Sequence, residues 1–497
     1  MVSELIPGNV QDLGKVGSSN SSVSNINDEK EAIEFDEAFR SVEKRILKKF
    51  DFIIIPCLSI AYLFSNLDKA NIGNAEAAGL STDLGLTGNQ YGNMVSLLFV
   101  TYVIFETPVA LSLKFVGAKL GLSLMVFLFG VTSLCSAFVT SYRSLLACRM
   151  LLGLFESGII PVINVYLGML YTRQEMAKRC SAVFSAAAAA GAFGGLLAYG
   201  LIKINAHGWE GWRWLFAIEG ALTIISTPIL VVLLPTEKIT ESWWLNEEEK
   251  KVLAIRMEEY PDFYQNEKFQ WSEVRRSLLD INNVIICAYE FCADLTLFGI
   301  STFLPSIIRG MGYNKYETQL LTIPFYAIAF LSFVVVGYLS DRFNHRGGFI
   351  LGGLLFEIIG YALLIGSETL GVRYFGCLLI GFGIYVCSAL SIMWANNNNA
   401  GHYKRATMGG MITTIGSCAG VLAGQIYTTE SAPLYLRGLK IAIGLTCFAF
   451  PLILVVMFSY NRINKKRAKI LDEQNGEEIK LIETPKDDRD LHYRFLL

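Results

Sequence analysis

Charge is scarce in this chain: Asp, Glu, Lys and Arg make up 17% of its 497 residues. They are gathered into short stretches between apolar runs, too few to coat a water-soluble protein of this length. Histidine is rarer, with four in the whole chain and none at ligand spacing; neither a metal site nor a cofactor is expected. The ten cysteines form no CxxC pair and fall almost wholly in apolar segments, where they read as small buried hydrophobes and not as a disulfide frame. A formal net charge of −2 leaves no basic excess for nucleic acid. The first forty residues, rich in Ser, Asn, Asp and Glu, hold no apolar core of a leader peptide, so the first apolar run is expected to direct insertion itself. The sequon at Asn20 to Ser22 then stays in the cytosol.

What the chain has in abundance is apolar length. Hydrophobic residues make up 53% of it, 44 residues are glycine, and the mean hydropathy is +0.43. Runs of about twenty apolar residues, enough to cross a ~30 Å hydrocarbon core, recur near 51–67, 91–113, 119–140, 145–170, 180–204 and 213–234. After a polar stretch a second set follows near 283–307, 319–339, 348–367, 373–395, 407–428 and 438–460. A backbone in lipid must satisfy its own hydrogen bonds, so each run is expected to be helical. The fold class is therefore all-α and integral to a membrane, with twelve spanning helices in two sets of six. The expected layout is a cytosolic tail over 1–45, a six-helix bundle over 46–235, a cytosolic central loop over 236–282, a second bundle over 283–461 and a cytosolic tail over 462–497.

Basic clusters set the orientation. Arg40, Lys44, Arg45, Lys48 and Lys49 precede the first run, Lys114 and Lys119 follow the second, and Arg173, Lys178 and Arg179 follow the fourth. Arg342 and Arg346 follow the eighth, Lys404 and Arg405 the tenth, and Arg462, Lys465, Lys466, Arg467 and Lys469 the twelfth. All lie on one side, which the positive-inside rule makes cytosolic. In the central loop, Asn246 to Tyr260 reads as an amphipathic helix whose Val252, Leu253, Ile255 and Met257 can rest on the bundle. The polar tails, 1–38 and 470–497, read as disordered.

Several stretches carry motifs. Gly337-Tyr-Leu-Ser-Asp341-Arg342, followed by His345-Arg346, sets an acid among cations at the cytosolic ends of two helices, where pairing would hold one conformation. This stretch resembles the loop motif of the major facilitator superfamily; the corresponding stretch after the second run, Leu113 to Lys119, lacks the acid. Tyr62-Leu-Phe-Ser-Asn-Leu-Asp68-Lys69-Ala-Asn71-Ile-Gly73, Arg149-Met-Leu-Leu-Gly153-Leu-Phe-Glu156, Gly211-Trp-Arg-Trp-Leu-Phe-Ala-Ile-Glu219-Gly220 and Trp394 through His402 stand out as well. These are similar to the fungal allantoate and nicotinate permease group within the anion:cation symporters, and the likeness runs over residues 45–460. Lys69 stands where that group usually has Arg, a point charge in place of a bidentate fork.

Ionisable residues at membrane depth are costly and so point to function. Arg149 and Glu156 lie two helical turns apart and share a face: a permanent cation suited to a carboxylate, beside an acid that can take a proton when Arg149 is occupied. The resemblance implies that this pair binds the anion and couples the proton. Glu290 and Asp294, four residues apart, should not both ionise in a low dielectric, which makes them alternative proton sites. Asp68 and Lys69, near the outer end of the first run, read as gating residues together with Asp341 and Arg342. Glu106 beside Pro108 reads as an acceptor for a proline-broken turn, and Glu219 and Glu357 as facing cytosolic or interfacial partners. The resemblance also implies a cavity lined by helices 1, 4, 7 and 10, which makes Tyr62, Tyr166, Tyr289 and Trp394 aromatic candidates for substrate binding. Asn396, in an amide-rich stretch, is a candidate to hydrogen-bond the solute. Glycines on the fifth and eleventh runs supply small faces along which the halves can rock.

The expectation is a transporter, not an enzyme: proton-coupled uptake of a small organic anion by alternating access. The resemblance points to a carboxylate such as nicotinate, pantothenate, allantoate or a related vitamin or amino-acid-like acid. Proton, anion and membrane lipid are the expected partners, a monomer the expected unit, and the plasma membrane the expected residence, with endoplasmic reticulum or vacuole as the alternative. A nutrient sensor of the same fold stays open. A membrane enzyme would need an Asp-rich metal motif or an activated nucleophile, which only the Glu290 and Asp294 pair approaches.

Overall fold

A computed structural model describes residues 24–171, 173–204, 208–236, 238–259, 271–428, 431–474 and 488–497; the Asn20 sequon and, of the tails expected to be disordered, 1–23 and 475–487 lie outside them, whereas 24–38 and 470–474 are helical, continuing the first and last spans. Among the described residues, twelve helices are long and apolar enough to cross a membrane. In the first half they are α1 (Phe39–Ala78), α2 (Gln90–Leu113), α3 (Ala118–Ser136), α4 (Tyr142–Leu170), α5 (Ala182–Leu201) and α6 (Gly211–Leu233). In the second they are α7 (Ile281–Gly310), α8 (Lys315–Phe343), α9 (Arg346–Gly366), α10 (Leu370–Asn397), α11 (Tyr403–Ile426) and α12 (Leu436–Glu473). The fourth is interrupted: it winds from Tyr142 to Glu156, breaks at Ser157 and Gly158, and resumes from Ile159 to Leu170.

The first and last spans are 40 and 38 residues long, about twice the ~20 that a bilayer core requires, and their surplus turns project on the cytosolic side. The loop helix Glu247–Glu259 docks there. Its Glu249 pairs with Lys49 of α1 at 2.7 Å, and its Arg256 pairs with Glu43 at 3.0 Å and Glu175 at 2.7 Å. Val252 and Leu253 are buried, with Ile255 and Met257 half-buried beside them. The amphipathic stripe thus faces α1 as expected, and Tyr260 lies outside the described residues.

The halves meet along α1 with α7, α2 with α11, and α5 with α8. Between helices in lipid there is no hydrophobic driving force, so close packing and hydrogen bonds hold such seams. Gly92 and Gly424 sit so near each other's carbonyls that a Cβ on either would overlap the other's backbone, and Gly73 stands likewise against the Thr302 carbonyl. The Gln425 amide donates to Asn93 and Ser96, both at 3.0 Å, and its carbonyl accepts from Asn89 at 2.7 Å. Gln319 donates to the Asn74 carbonyl at 3.2 Å, and Arg309 donates to the Ala77 carbonyl. All of these residues lie in the outer halves of their helices. The seam is therefore closed at the end of the bundle opposite the spans' shared entry and exit side, the outside on the orientation expected from the basic clusters.

The far C-terminus departs from the expected disorder: residues 488–497 dock on the cytosolic end of the second half. Asp488 is buried and pairs with Lys404 at 2.6 Å and with Arg276. Asn464 and Asn398 each hold a tail amide group from both sides, Phe495 at 3.0 and 2.8 Å and Leu496 at 2.8 and 3.0 Å. The Phe495 ring stacks on Tyr460 with centroids 4.6 Å apart. Polarity alone suggests a solvated tail, but here the polar groups find fixed partners at helix ends. Asp488→Ala removes one acid from Lys404 and Arg276, which keep Asp280 at 2.7 Å and Glu273 at 3.2 Å, and should cost about 2 kcal/mol, the scale of a lost hydrogen bond to a charged group. A thermal midpoint in detergent unchanged from wild type would contradict this docking.

Candidate functional site

Between the halves lies a cavity of about 310 Å³ whose lining includes Met176 and Cys180 near the start of the fifth span. Helical periodicity decides what faces it. Tyr62, Asn66 and Lys69 form one stripe of α1, Asp294, Phe298 and Ser301 one of α7, and Tyr385, Ser388, Ile392 and Asn396 one of α10. These spacings of three and four residues are those of a single helix face. The fourth helix adds Arg149 and, beyond its break, Asn164; Phe99 of α2, Phe184 and Tyr326 supply further ring faces.

The expected aromatic set is only partly here. Tyr62 lines the cavity, whereas three other candidates belong to helix packing. The Tyr166 hydroxyl donates to the Pro235 carbonyl at 3.1 Å, the Tyr289 hydroxyl to Cys387 at 3.2 Å, and the Trp394 indole to Leu496 at 2.8 Å. Sequence position put them on the right helices, but rotation about the axis turns them away. Tyr326 and Tyr385 take that place, and the i, i+4 and i+7 stripes of polar and aromatic residues are the signal by which Asn66, Tyr385 and Ser388 were discoverable.

The buried charges of the first half form one network. Lys69 lies 3.5 Å from Glu156 and 4.7 Å from the Tyr102 ring centroid, and Ser65 donates to the same Glu156 oxygen at 3.3 Å. Glu156 thus pairs with Lys69, while Arg149 donates one nitrogen to the Asp68 carbonyl at 3.2 Å. Arg149 Nε and Nη2 have no hydrogen-bond partner among the described residues, the guanidinium lying over the Phe216 ring at 5.4 Å, although the residue is 1% exposed. The Asp68 carboxylate accepts from Ser133 at 2.6 Å. Placed at the outer end by sequence, Asp68 and Lys69 in fact lie about 14 Å in from the end of α1 at 1.5 Å per residue, near mid-membrane. Their side chains join the central network, and the outer closure is made by other residues.

Glu219 is a second departure: it is fully buried on α6 and accepts from Asn71, facing neither cytosol nor interface. Glu357 is buried too, on α9. In the second half, the Ser388 hydroxyl lies 2.8 Å from Asp294 and 3.2 Å from Glu290, its single hydrogen serving one acid at a time, and Glu290 also accepts from Ser391. Glu290 is wholly enclosed and Asp294 lines the cavity. Glu106 reaches across the seam to Thr414 at 3.5 Å. At the cytosolic turn between α8 and α9, Asp341 pairs with Arg346 at 2.8 Å, and Arg342 is exposed. Among the described residues no group of His, Cys, Asp and Glu is arranged to hold a metal ion, and the ten cysteines are unpaired.

Twelve spanning helices in two sets around a central charged cavity are the build of a carrier. The family model of the Major Facilitator Superfamily matches residues 58–424. The chain is 39% identical to the high-affinity nicotinic acid transporter of Saccharomyces cerevisiae over 88% of its length and 82% of the relative's. It is 32% identical to the major facilitator-type transporter hxnP of Emericella nidulans, over 79% and 81% of the two chains. Among solved structures it is similar to a bacterial homologue of the human lysosomal transporter Spinster, in an inward-facing and occupied conformation, with a TM-score of 0.64 at 16% identity over 82% of this chain and 97% of that one. A D-xylose-proton symporter gives a TM-score of 0.63 at 13% identity, covering 82% of this chain and 97% of the other. Residues and fold agree, and the chain belongs to the major facilitator superfamily as an integral membrane transporter.

Proposed function

We propose that this transporter takes up a small organic carboxylate together with a proton, at the plasma membrane. The observation that carries this reading is the ion pair of Lys69 with Glu156 at 3.5 Å, set beside a cavity lined by Lys69 and Arg149, the Nε and Nη2 of Arg149 being buried without a hydrogen-bond partner among the described residues. A solute carboxylate entering from outside takes its charge-assisted hydrogen bonds from Arg149 and Lys69. Glu156 then loses its cation in a water-poor site, where an unpaired carboxylate is costly, and a proton replaces the lost positive charge. Anion and proton therefore load together, and the cavity keeps its net charge as the two bundles, 46–235 and 283–461, rock about the midplane.

The aromatic lining suits a solute with a ring, and the volume of about 310 Å³ lies at the small end of ligand pockets. The activity of the yeast relative, nicotinic acid transport, supports the same class. One chain supplies every residue of the cavity, so a monomer is the working unit. Uptake of labelled nicotinate by a transporter-deficient yeast expressing the chain should rise as external pH falls and should collapse with a protonophore. Uptake indifferent to both would overturn the coupling.

A further inference from the structure

The cavity has two chemically different ends. Its cations, Lys69 and Arg149, both come from the first half, whereas the second half presents a carboxyl group, that of Asp294. Ser388 donates to one oxygen of Asp294 at 2.8 Å while also reaching Glu290 at 3.2 Å. A Cβ on Gly416 would overlap the other Asp294 oxygen, so a small residue of α11 leaves that oxygen room. Asp294 is thus fixed in direction yet open to the cavity, and the aromatic rings of Tyr62, Phe298 and Tyr385 lie in the same lining. A plain carboxylate would engage the cationic end only. It would leave the second oxygen of Asp294, the one Ser388 does not reach, against apolar ring edges, where a desolvated polar atom without a partner is unfavourable.

We infer that Asp294, held by Ser388, is a specificity-determining residue that reads a basic nitrogen on the solute, so that the favoured class is a flat-ringed acid carrying a ring nitrogen away from its carboxylate. The nitrogen and Asp294 share one proton: an ionised Asp294 accepts from a protonated nitrogen, and a neutral one donates to a free nitrogen. Either arrangement forms one hydrogen bond that a carbocyclic acid of the same shape cannot form. This inference rests on the reading that the carboxylate binds at Lys69 and Arg149.

The test is equilibrium binding to the purified full chain in detergent, with labelled nicotinate displaced by unlabelled nicotinate and by its carbocyclic isostere benzoate. For wild type, nicotinate should displace at least about tenfold better than benzoate, the difference expected for one buried hydrogen bond to a charged group. In Asp294→Leu, which has neither donor nor acceptor for the ring nitrogen, and in Ser388→Ala should the first variant fail to fold, the gap should shrink to about threefold or less through weaker nicotinate binding, with benzoate little changed. Equal displacement by the two acids in wild type, or full discrimination in both variants, would overturn the assignment of Asp294 while leaving the carboxylate site intact. Binding of neither acid to wild type would overturn the carboxylate reading itself, and this inference with it.

Discussion

Arg149→Gln should bind carboxylates about a hundredfold more weakly than wild type, since removing one member of a buried charge pair commonly costs a few kcal/mol. The residue is 1% exposed, and only one of its nitrogens is hydrogen-bonded, to the Asp68 carbonyl at 3.2 Å; Nε and Nη2 have no hydrogen-bond partner among the described residues. A buried guanidinium with two open donors lacks a counterpart that the solute can supply. Glutamine keeps one donor for the Asp68 carbonyl but brings no charge. Arg149→Lys should recover part of the loss, because lysine restores the charge without the planar fork. Binding of labelled nicotinate to purified protein measures both variants, and unaltered affinity in Arg149→Gln would reject the role.

Glu156→Gln should abolish concentrative uptake while sparing exchange. A proton gradient drives a solute only through a site whose proton affinity depends on whether the solute is bound, and that dependence is reciprocal. Glutamine accepts from Ser65 as the native side chain does at 3.3 Å, but it neither pairs with Lys69 as a charge nor takes up a proton. The sign follows directly. Wild-type uptake rises as external pH falls, because the proton is a co-substrate. Variant uptake is flat with pH, and the ratio of solute inside to outside falls to about one. Counterflow of labelled against unlabelled nicotinate, which needs no net proton movement, should persist. Retained uphill accumulation in the variant would move the proton to another acid, and the pair of Glu290 and Asp294 would then be the first to test.

The break in α4 directly after Glu156 gives this prediction its structural setting. Helix ends leave carbonyl and amide groups without intrahelical partners, and such irregular backbone is tolerated in a membrane only where protein or a cavity surrounds it. Ser157 donates to the Leu154 carbonyl at 2.8 Å and answers part of that need. Nothing in Glu156-Ser-Gly158 marks the break strongly enough to be read from the chain, since a glycine in a spanning run is as often a packing surface.

Twelve spans and their order were legible without a structure. Each depends on the composition of a single stretch, a property of the chain itself. The residue pairs that share a face were legible too: Arg149 with Glu156, and Glu290 with Asp294, follow from helical pitch. Pitch does not reveal which way a face points. In lipid the outward face and the packed face are both apolar, so hydropathy has no contrast with which to fix rotation. Only the packing of helix on helix turned Tyr166, Tyr289 and Trp394 away from the cavity and brought Tyr326 and Tyr385 to it. The pairing of Glu156 with Lys69 and the burial of Glu219 against Asn71 join side chains 87 and 148 positions apart along the chain, and the docking of residues 488–497 joins Leu496 to Trp394 at a separation of 102. Such contacts exist because distant helices come together, and local sequence holds no record of that distance.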